Sequence, residues 1–249
     1  MFLEADDYIE LNPDIFSTND SLNFNHAYVK YRLQEIDSSL IYLKHVPPTS
    51  PLYVSGNNFI TQIYMNQGKT DSAKKYLAAK KSVGSPDISS DIFTLQSSGL
   101  ALLDRDTAAY HKQFYGALFE NRELFQQHNT LNETFNELKK VKKKSVLAAG
   151  LLSALVPGLG KIYAGNNAQG FSAFLFSGIL AAQAYEGYYR GGISDPRFIV
   201  YSCLFSLFYV SNIYGSVLSV SVKNNQLNSQ INHEITVNTS IPLRYFFGH

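Results

Sequence analysis

The sequence has few cysteines and few charged residues, and each scarcity excludes a class of protein. The single cysteine, Cys203, rules out an internal disulfide framework and a zinc site built from thiolates. Charged residues make up 16% of the 249 positions, below the roughly 25% typical of soluble domains. Because the net charge is only +1, we expect no nucleic-acid partner held by counterion release.

The scarcity of charge is confined to one half of the chain. Residues 1–144 carry 33 charged side chains, whereas residues 145–249 carry eight. Eight charges cannot cover the surface of a soluble domain of that length. The composition therefore predicts a boundary near Ser145, which separates a polar domain (1–144) from an apolar domain (145–225) and a C-terminal tail (226–249).

Two long runs in the second half contain no charge. They cover residues 162–185 and 198–222, and each is long enough for a helix across a hydrocarbon core of about 30 Å. A third apolar segment, 146–155, is too short to cross comfortably, so it either crosses as a short helix or enters and returns. These runs predict a multi-pass membrane domain with two or three crossings. The alternative is a buried hairpin in a large soluble helical protein.

Basic residues flank the apolar runs and predict an orientation. Five lysines between residues 139 and 144 precede the first run, and Arg190 and Arg197 lie between the last two. With three crossings these seven share one side, while Lys161 and Lys223 lie on the other. The positive-inside rule then places the polar domain in the cytoplasm. The first residues do not resemble a signal peptide, and a signal upstream would instead place this domain in the periplasm.

The polar domain is predicted to consist of paired helices with a repeat. The segment HAYVKYRLQEIDSSLIYLKHV matches ITQIYMNQGKTDSAKKYLAAK at an offset of 34, and a weaker third copy places Tyr110 another 34 residues after Tyr76. A 34-residue period of two helices resembles the tetratricopeptide repeat over residues 20–120. The resemblance implies a stacked surface that binds peptides or partner proteins. An irregular helical bundle with a chance period is the alternative.

A proline-glycine turn begins the most specific motif of the apolar half. The string PGLGKIYAG resembles a turn in small bacterial membrane proteins related to the TM2-type domain, which often follow tetratricopeptide-like repeats in Bacteroidetes-type proteins. Lys161 stands where glutamine is usual in that group. The resemblance implies a bacterial inner-membrane location and an architecture, but no reaction. The residues that carry it are Pro157, Gly158, Gly160, Tyr163, Gly165, Gly170, Asn212, Tyr214 and Gly215.

Structural roles account for these residue types. Pro157 is expected to end a helix, and small residues four apart (Gly150-Ala154-Gly158 and Ser211-Gly215-Ser219) to let helices touch in lipid. Asn212 is expected to hydrogen-bond across helices, because its amide would be costly facing lipid.

The chain shows no convincing catalytic or metal-ligand pattern. Gly158-Leu-Gly160-Lys161 fails the phosphate-loop pattern because Leu155 stands where its first glycine belongs. The six histidines are scattered, and none forms a pair at ligand spacing. We therefore expect no enzyme, no cofactor and no metal site. The tail alternates partly at Ile235, Val237 and Ile241, which predicts a short strand or a segment along the membrane.

Together these patterns predict an all-α protein, with helical hairpins joined to two or three transmembrane helices. The leading hypothesis is a membrane-anchored adaptor or scaffold that binds a partner protein through its repeats and a lipid bilayer through its anchor. The alternative is a small channel, transporter or membrane-insertion component, a homo-oligomer regulated by the repeats.

Overall fold

The structure, a computed structural model, describes residues 2–11, 20–78, 88–241 and 245. Over these residues it consists of helices and turns without a strand, which confirms the predicted all-α class. The chain divides into two compact units. The first comprises Met1–Lys140 together with Ile231–His249, and the second comprises Val141–Gln230.

Eight helices belong wholly to the first unit within the described residues. They are α1 (Phe2–Leu11), α2 (Asp20–Arg32), α3 (Ile36–Lys44), α4 (Tyr53–Asn66), α5 (Thr70–Ala78), α6 (Ile88–Leu103), α7 (Thr107–Gln113) and α8 (Arg122–Lys140). The second unit contains α9 (Val146–Leu155), α10 (Leu159–Ala164), α11 (Asn167–Gly191) and most of α12 (Pro196–Asn238).

Three helix pairs of the first unit, α2–α3, α4–α5 and α6–α7, share one kind of turn. Gln34, Gly68 and Arg105 each adopt a left-handed backbone there, with φ of 66°, 70° and 62°. In every turn this residue donates its N–H to the carbonyl three residues back, and the next residue donates to the carbonyl five residues back. This Schellman-type ending satisfies carbonyls that a helix end otherwise leaves unpaired. The first unit therefore contains three equivalent helical hairpins.

The spacing of the hairpins corrects the predicted register of the third copy. The first two turns are 34 residues apart, but the third, at Arg105, follows Gly68 after 37. Tyr110 donates its backbone N–H to Asp106 as Ala73 does to Lys69, so Tyr110 corresponds to Ala73 and not to Tyr76. The match of Tyr76 with Tyr110 was wrong because residue type was compared without the turn that fixes position.

The core of the first unit is made of large apolar side chains from several helices. Phe24, Phe59, Leu95 and Leu131 are all at least 98% buried. Gly99 of α6 leaves space for the side chain of Thr239, since a Cβ at that glycine would collide with the threonine methyl group. The tight packing of large side chains in this core is of the kind found in the interiors of globular proteins.

The end of the chain completes that core and differs from the predicted tail. Helix α12 continues to Asn238, so a strand beginning at Ile231 is wrong over the described residues, while residues 242–244 and 246–249 lie outside them. Ile231, Ile235 and Thr239 follow a four-residue helical spacing and are buried with Ile241. A fragment that ends at residue 144 would therefore lack part of the core.

Helix α12 is long and apolar enough to cross a membrane, the single helix of the described residues for which this holds. Only 17% of its most apolar stretch is buried, so that stretch is not a core segment, unlike the end of the helix at Ile231 and Ile235. The segment Val146–Leu155 is apolar but too short, and α11 does not meet the same criterion. Helix α12 is thus the feature of the fold that indicates membrane association.

Candidate functional site

Helices α9 and α10 of the second unit form a short hairpin that returns to its own start. Helix α9 ends at Leu155, two residues before Pro157, and Gly158 turns the chain with φ of 93°. Ser145, at the start of α9, donates its N–H to the Tyr163 hydroxyl over 3.1 Å near the end of α10. The short apolar segment and α10 therefore reverse the direction of the chain within the unit.

Helices α11 and α12 form a second, longer hairpin. The rings of Tyr188 and Phe198 lie 5.5 Å apart beside the connection between the two helices. At the other end, Asn224 of α12 donates to the Lys144 carbonyl over 2.9 Å and accepts from the Lys144 N–H over 3.2 Å. Residues 144, 163 and 224 thus meet at one end of the second unit, which we call the lysine end.

This path corrects the expected distribution of charges. Arg190 and Arg197 flank the far connection and are separated from the lysine end by the length of α11, so they do not share a side with Lys144. Lys223, adjacent to Asn224, lies at the lysine end and not opposite to it. The expected distribution assumed three crossings, whereas α9 and α10 reverse direction within the unit, so Lys144 and Lys223 lie at one end of it.

The motif glycines lie where helices approach closely. A Cβ at Gly158 would collide with the Gly170 carbonyl, and one at Gly170 would collide with Ile162. A Cβ at Gly160 would collide with the carbonyl of Ala149 and with Ser153. Glycine at these positions therefore permits contacts that any side chain would block.

Two serines form the polar contact between helices at this point. The hydroxyls of Ser153 and Ser216 lie 2.7 Å apart, and both residues are completely buried. Gly160 donates its N–H to Ser153 over 2.9 Å, and Ser216 donates to the Asn212 carbonyl over 2.8 Å. This network ties α9, α10 and α12 together through hydroxyls.

The buried faces of α9 and α12 are displaced by one position from the predicted small-residue stripes. Gly150 and Gly158 of the first stripe lie close to Val217 and Gly170, as predicted, but Ala154 is exposed and the buried residues of α9 are Ala149 and Ser153. On α12 the buried face consists of Asn212, Ser216 and Val220, and Ser211 is exposed. Sequence spacing fixes the period of a face but not its rotation, and the return of α10 determines which face packs.

Asn212 is buried but does not make the hydrogen bond predicted across helices. The residue is 3% exposed, and neither polar atom of its side-chain amide has a hydrogen-bond partner among the described residues. The hydroxyl of Ser177 on α11 is also buried without a partner there. Unpaired polar atoms in an apolar interior cost free energy, and the pair Ser153–Ser216 supplies the contact expected of Asn212.

The remaining motif residues lie at the lysine end or next to it. Lys144 Nζ donates to the Tyr163 carbonyl over 2.6 Å and lies 5.5 Å from that ring. Gly165 ends α10 with φ of 95°. Gly215 leaves space for Lys161, whose Cε lies 3.5 Å from the position a Cβ would take there. Tyr214 is 68% exposed and contributes to the outer surface.

The second unit has large apolar side chains on its surface, whereas most of its buried residues are small. Of the 32 large apolar side chains that are exposed in the described residues, 24 lie in Val141–Gln230. The buried residues of α11 are all small: Gly170, Ala173, Ser177, Ala184 and Gly187. A distribution of this kind places apolar side chains where lipid would contact them and small residues where helices meet.

The first unit has a cavity of about 800 Å³ formed by α1, α2, α3 and the turn after α3. Its volume lies in the range of ligand pockets in proteins. Carboxylates, histidines and apolar side chains share its wall. The lining residues are Ile9, Glu10, Asp20, Asn23, His26, Lys30, Ser38, Ile41, Tyr42, His45 and Pro47.

A charge cluster lies beside this cavity, and three of its members, Glu10, His26 and Lys30, line the cavity. Lys30 Nζ lies 2.7 Å from Asp6, 2.8 Å from Glu10 and 3.2 Å from Glu35, so its three protons are all directed at carboxylates. His26 Nε2 lies 3.0 Å from the other oxygen of Asp6, and its ring stacks near Tyr42 with centroids 4.1 Å apart. Asp6, His26 and Lys30 are each more than 90% buried.

The mutual contacts of this cluster favour the charged forms of Asp6 and Lys30. Burial by itself raises the pKa of Asp6, but hydrogen bonds from Lys30 and His26 outweigh burial and hold the pKa below its ordinary value. Burial by itself lowers the pKa of Lys30, but bonds to Asp6, Glu10 and Glu35 outweigh it and raise the pKa. Two carboxylates, Glu10 and Asp20, line the cavity, and Lys30 is engaged by Asp6, Glu10 and Glu35.

Sequence reasoning did not single out this cluster. Its signal is a pair of four-residue spacings, Asp6 with Glu10 and His26 with Lys30, which place both members of each pair on one helix face. Nothing in the sequence says that the two faces meet. Among the described residues no three histidine, cysteine or carboxylate side chains are grouped so as to hold a metal ion.

Comparison with protein-family models, curated proteins and solved structures gives no match for the chain.

Proposed function

We propose that the chain is a membrane-anchored adaptor without catalytic activity, in which the helical hairpins of the first unit bind a partner protein. The observation that carries the proposal is the union, in one chain, of an open cavity that contains two carboxylates and apolar side chains with a unit whose exposed surface is apolar. The three equivalent hairpins support a repeat domain of tetratricopeptide type. The motif around Pro157 supports membership of the anchor in the TM2-related group.

The cavity favours a partner segment that carries basic and apolar side chains. Glu10 and Asp20 line it, and the single buried ammonium, Lys30, already contacts three carboxylates. Ile41 is 54% exposed and offers an apolar contact beside them. Opposite charge gives orientation and an apolar contact gives affinity, as at other protein interfaces.

The test compares two substitutions in the full-length chain, produced with an affinity tag in the cells that encode it. Ile41→Arg places a cation in the cavity, whereas Leu118→Arg changes a side chain that is 92% exposed and does not line it. We expect co-purification and mass spectrometry to recover the same proteins with wild type and Leu118→Arg, and to lose at least one of them with Ile41→Arg. Identical recovery with all three chains would contradict the proposal.

The anchor is proposed to cross a bacterial inner membrane twice, with a re-entrant hairpin. The lysine end carries Lys142, Lys143, Lys144 and Lys223, and the far connection carries two arginines beside Glu186 and Asp195. By the positive-inside rule, the excess of lysine supports a cytoplasmic lysine end. The first unit is then also cytoplasmic, because both connections of the chain between the units, at Lys140 and at Ile231, are next in sequence to the residues of the lysine end.

Cysteine labelling tests this topology. In a Cys203→Ser background, Ile193→Cys introduces a thiol at the far connection and Leu118→Cys introduces one in the first unit, both at exposed positions. A membrane-impermeant maleimide applied to intact spheroplasts should label position 193 and leave position 118 unlabelled until the membrane is opened. The reverse pattern, or labelling of both positions, would contradict the orientation.

One observation favours a second candidate, an oligomeric channel, transporter or insertion component. Asn212 and Ser177 keep unpaired polar atoms inside the second unit, and polar groups at membrane depth often mark a pathway. Two crossing helices do not enclose a pore, so this function requires several copies. Mass photometry of the protein in nanodiscs of increasing size would find multimers if it holds, and single copies at every size if it does not.

A further inference from the structure

We infer that the second unit binds one phospholipid with an anionic headgroup in a cleft beside Lys161. The cleft has a volume of about 390 Å³. The residues that line it are Lys161, Ala168, Gln169, Ser172, Ala173, Phe176 and Phe208. It is separate from the cavity in the first unit.

The lining of the cleft is polar in part and aromatic in part, as a phospholipid requires. Lys161, Gln169 and Ser172 supply an ammonium, an amide and a hydroxyl that can donate to phosphate oxygens. Phe176 and Phe208, whose ring centroids are 6.1 Å apart, supply an apolar wall. Phe176 is 59% exposed, so an acyl chain could lie against it within the surrounding lipid.

Charge determines which headgroup the cleft would accept. Lys161 makes no ion pair and no side-chain hydrogen bond with a described residue. The acidic residues of Val141–Gln230 are Glu186 and Asp195, of which Glu186 is paired with Arg190 over 2.8 Å and Asp195 accepts from the Arg197 N–H over 2.7 Å. Both carboxylates lie near the far connection, separated from Lys161 by most of the length of α11, so an anionic headgroup would supply the missing counter-charge.

The depth of Lys161 agrees with a phosphate group. Its Cε lies next to Gly215 on α12, and Gly215 follows Phe198, the first residue of the charge-free run, by roughly 26 Å of helix. A hydrocarbon core is about 30 Å thick, so Lys161 would lie just inside the boundary at the lysine end. A lysine at that depth extends toward the headgroup level, where the phosphate of a lipid resides.

The test measures retained lipid on the full-length protein. Protein reconstituted in nanodiscs with equal phosphatidylglycerol and phosphatidylcholine is extracted into mild detergent and examined by native mass spectrometry. We expect wild type to retain one phosphatidylglycerol in preference to phosphatidylcholine. Lys161→Gln should lower that retained fraction about tenfold, because a charge-assisted hydrogen bond is lost. The control Lys143→Gln, at an exposed lysine of the same end, should change it less than twofold.

A second pair of variants tests the apolar wall and does not depend on the folding of Lys161→Gln. Phe176→Ala removes part of the cleft, and Phe171→Ala removes an equally exposed ring, also 59% exposed, from the same helix but outside the cleft. Phe176→Ala should reduce retention severalfold, and Phe171→Ala should not. Equal retention by both members of either pair would overturn the inference.

A competition arm distinguishes a lipid from a free anion. Inorganic phosphate at 10 mM (roughly ten times a weak millimolar Kd) should leave the phosphatidylglycerol in place, since it lacks the acyl chains that contact Phe176. Displacement by phosphate would show that the cleft binds only the anion and not the acyl chains, and the lipid proposal would be wrong. Normal partner recovery by Lys161→Gln, together with loss of lipid, would separate this inference from the adaptor function.

Discussion

The two units of this protein arrange the same kinds of side chain in opposite ways. In the first unit Phe24 and Phe59 are buried at 1% and 2% exposure, and polar groups cover the outside. In the second unit Phe171 and Phe176 are 59% exposed, while Ser153 and Ser216 are completely buried. Burial of large apolar surface stabilises a fold in water, but it gives no advantage when the surroundings are hydrocarbon.

The comparison shows what holds each unit together. The first relies on tightly packed large side chains, so its stability follows the area removed from water. The second relies on glycine and alanine contacts and on the serine network around Gly160, which allow close helix approach and satisfy polar groups without water. Each arrangement fits one solvent and would fail in the other.

The most complete effect, loss of the whole protein from the membrane, is expected from a charge on the exposed surface of the second unit. Leu207→Arg replaces a side chain that is 68% exposed in the middle of the charge-free run of α12. If lipid covers it, insertion should weaken by about 2.5–3.5 kcal/mol, and the protein should leave the carbonate-washed membrane fraction. Leu118→Arg, at a 92% exposed position of the first unit, should leave membrane recovery unchanged. Equal recovery of both variants would remove the contrast between the units.

The next effect compares two phenylalanines of opposite burial. Phe59→Ala should destabilise the first unit by about 3–5 kcal/mol, because it removes transfer free energy and leaves a cavity. Phe171→Ala, on the exposed face of α11, should change stability by less than about 0.5 kcal/mol. Thermal unfolding of the full chain in detergent, followed by circular dichroism, measures both. A large loss with Phe171→Ala would show that this ring packs against protein.

A third experiment addresses the small residues of the second unit. Gly160→Ala would place a Cβ against the Ala149 carbonyl and Ser153, so we expect a loss of about 1–3 kcal/mol from overpacking. Gly178→Ala, on α11 with open space around the Cβ position, should stabilise the helix by up to about 1 kcal/mol. Opposite shifts in the unfolding temperature would confirm that close contact, and not glycine content, holds this unit. Shifts of the same sign would contradict it.

Much of this organisation follows from composition and spacing. The change of charge density near Ser145 lies beside the division of the units at Lys140, and the four-residue spacings gave the helices. The rotation of a helix face did not follow, because Ser153 and Ser216 are buried through the return of α10, a tertiary event. The burial of Ile235 in the core of the first unit could not be predicted from the sequence either, since no local pattern links it to core residues such as Leu124, more than a hundred positions earlier.

The candidate cavity was beyond sequence reasoning for the same reason. Asp6 and Lys30 are ordinary helix residues by local criteria, and only the packing of α1 on α2 brings them within 2.7 Å. Hairpins could be predicted from period and turn residues, whereas the contents of a cavity depend on contacts between them. The third hairpin illustrates this limit, because its turn comes three residues later than a fixed period of 34 predicts.

The smallest expected effect is a dependence on acid pH that belongs to the first unit alone. The pKa of Asp6 lies below its ordinary value of 3.8 in the folded chain, because Lys30 and His26 donate to it. The ionised carboxylate therefore stabilises the fold fully above about pH 4, and this contribution is lost as the pH falls through the folded pKa. The difference in unfolding temperature between wild type and Asp6→Asn should shrink as the pH falls below about 4. A wild-type advantage over Asp6→Asn that grows as the pH falls would reverse the sign of this linkage and contradict the placement of the buried cluster.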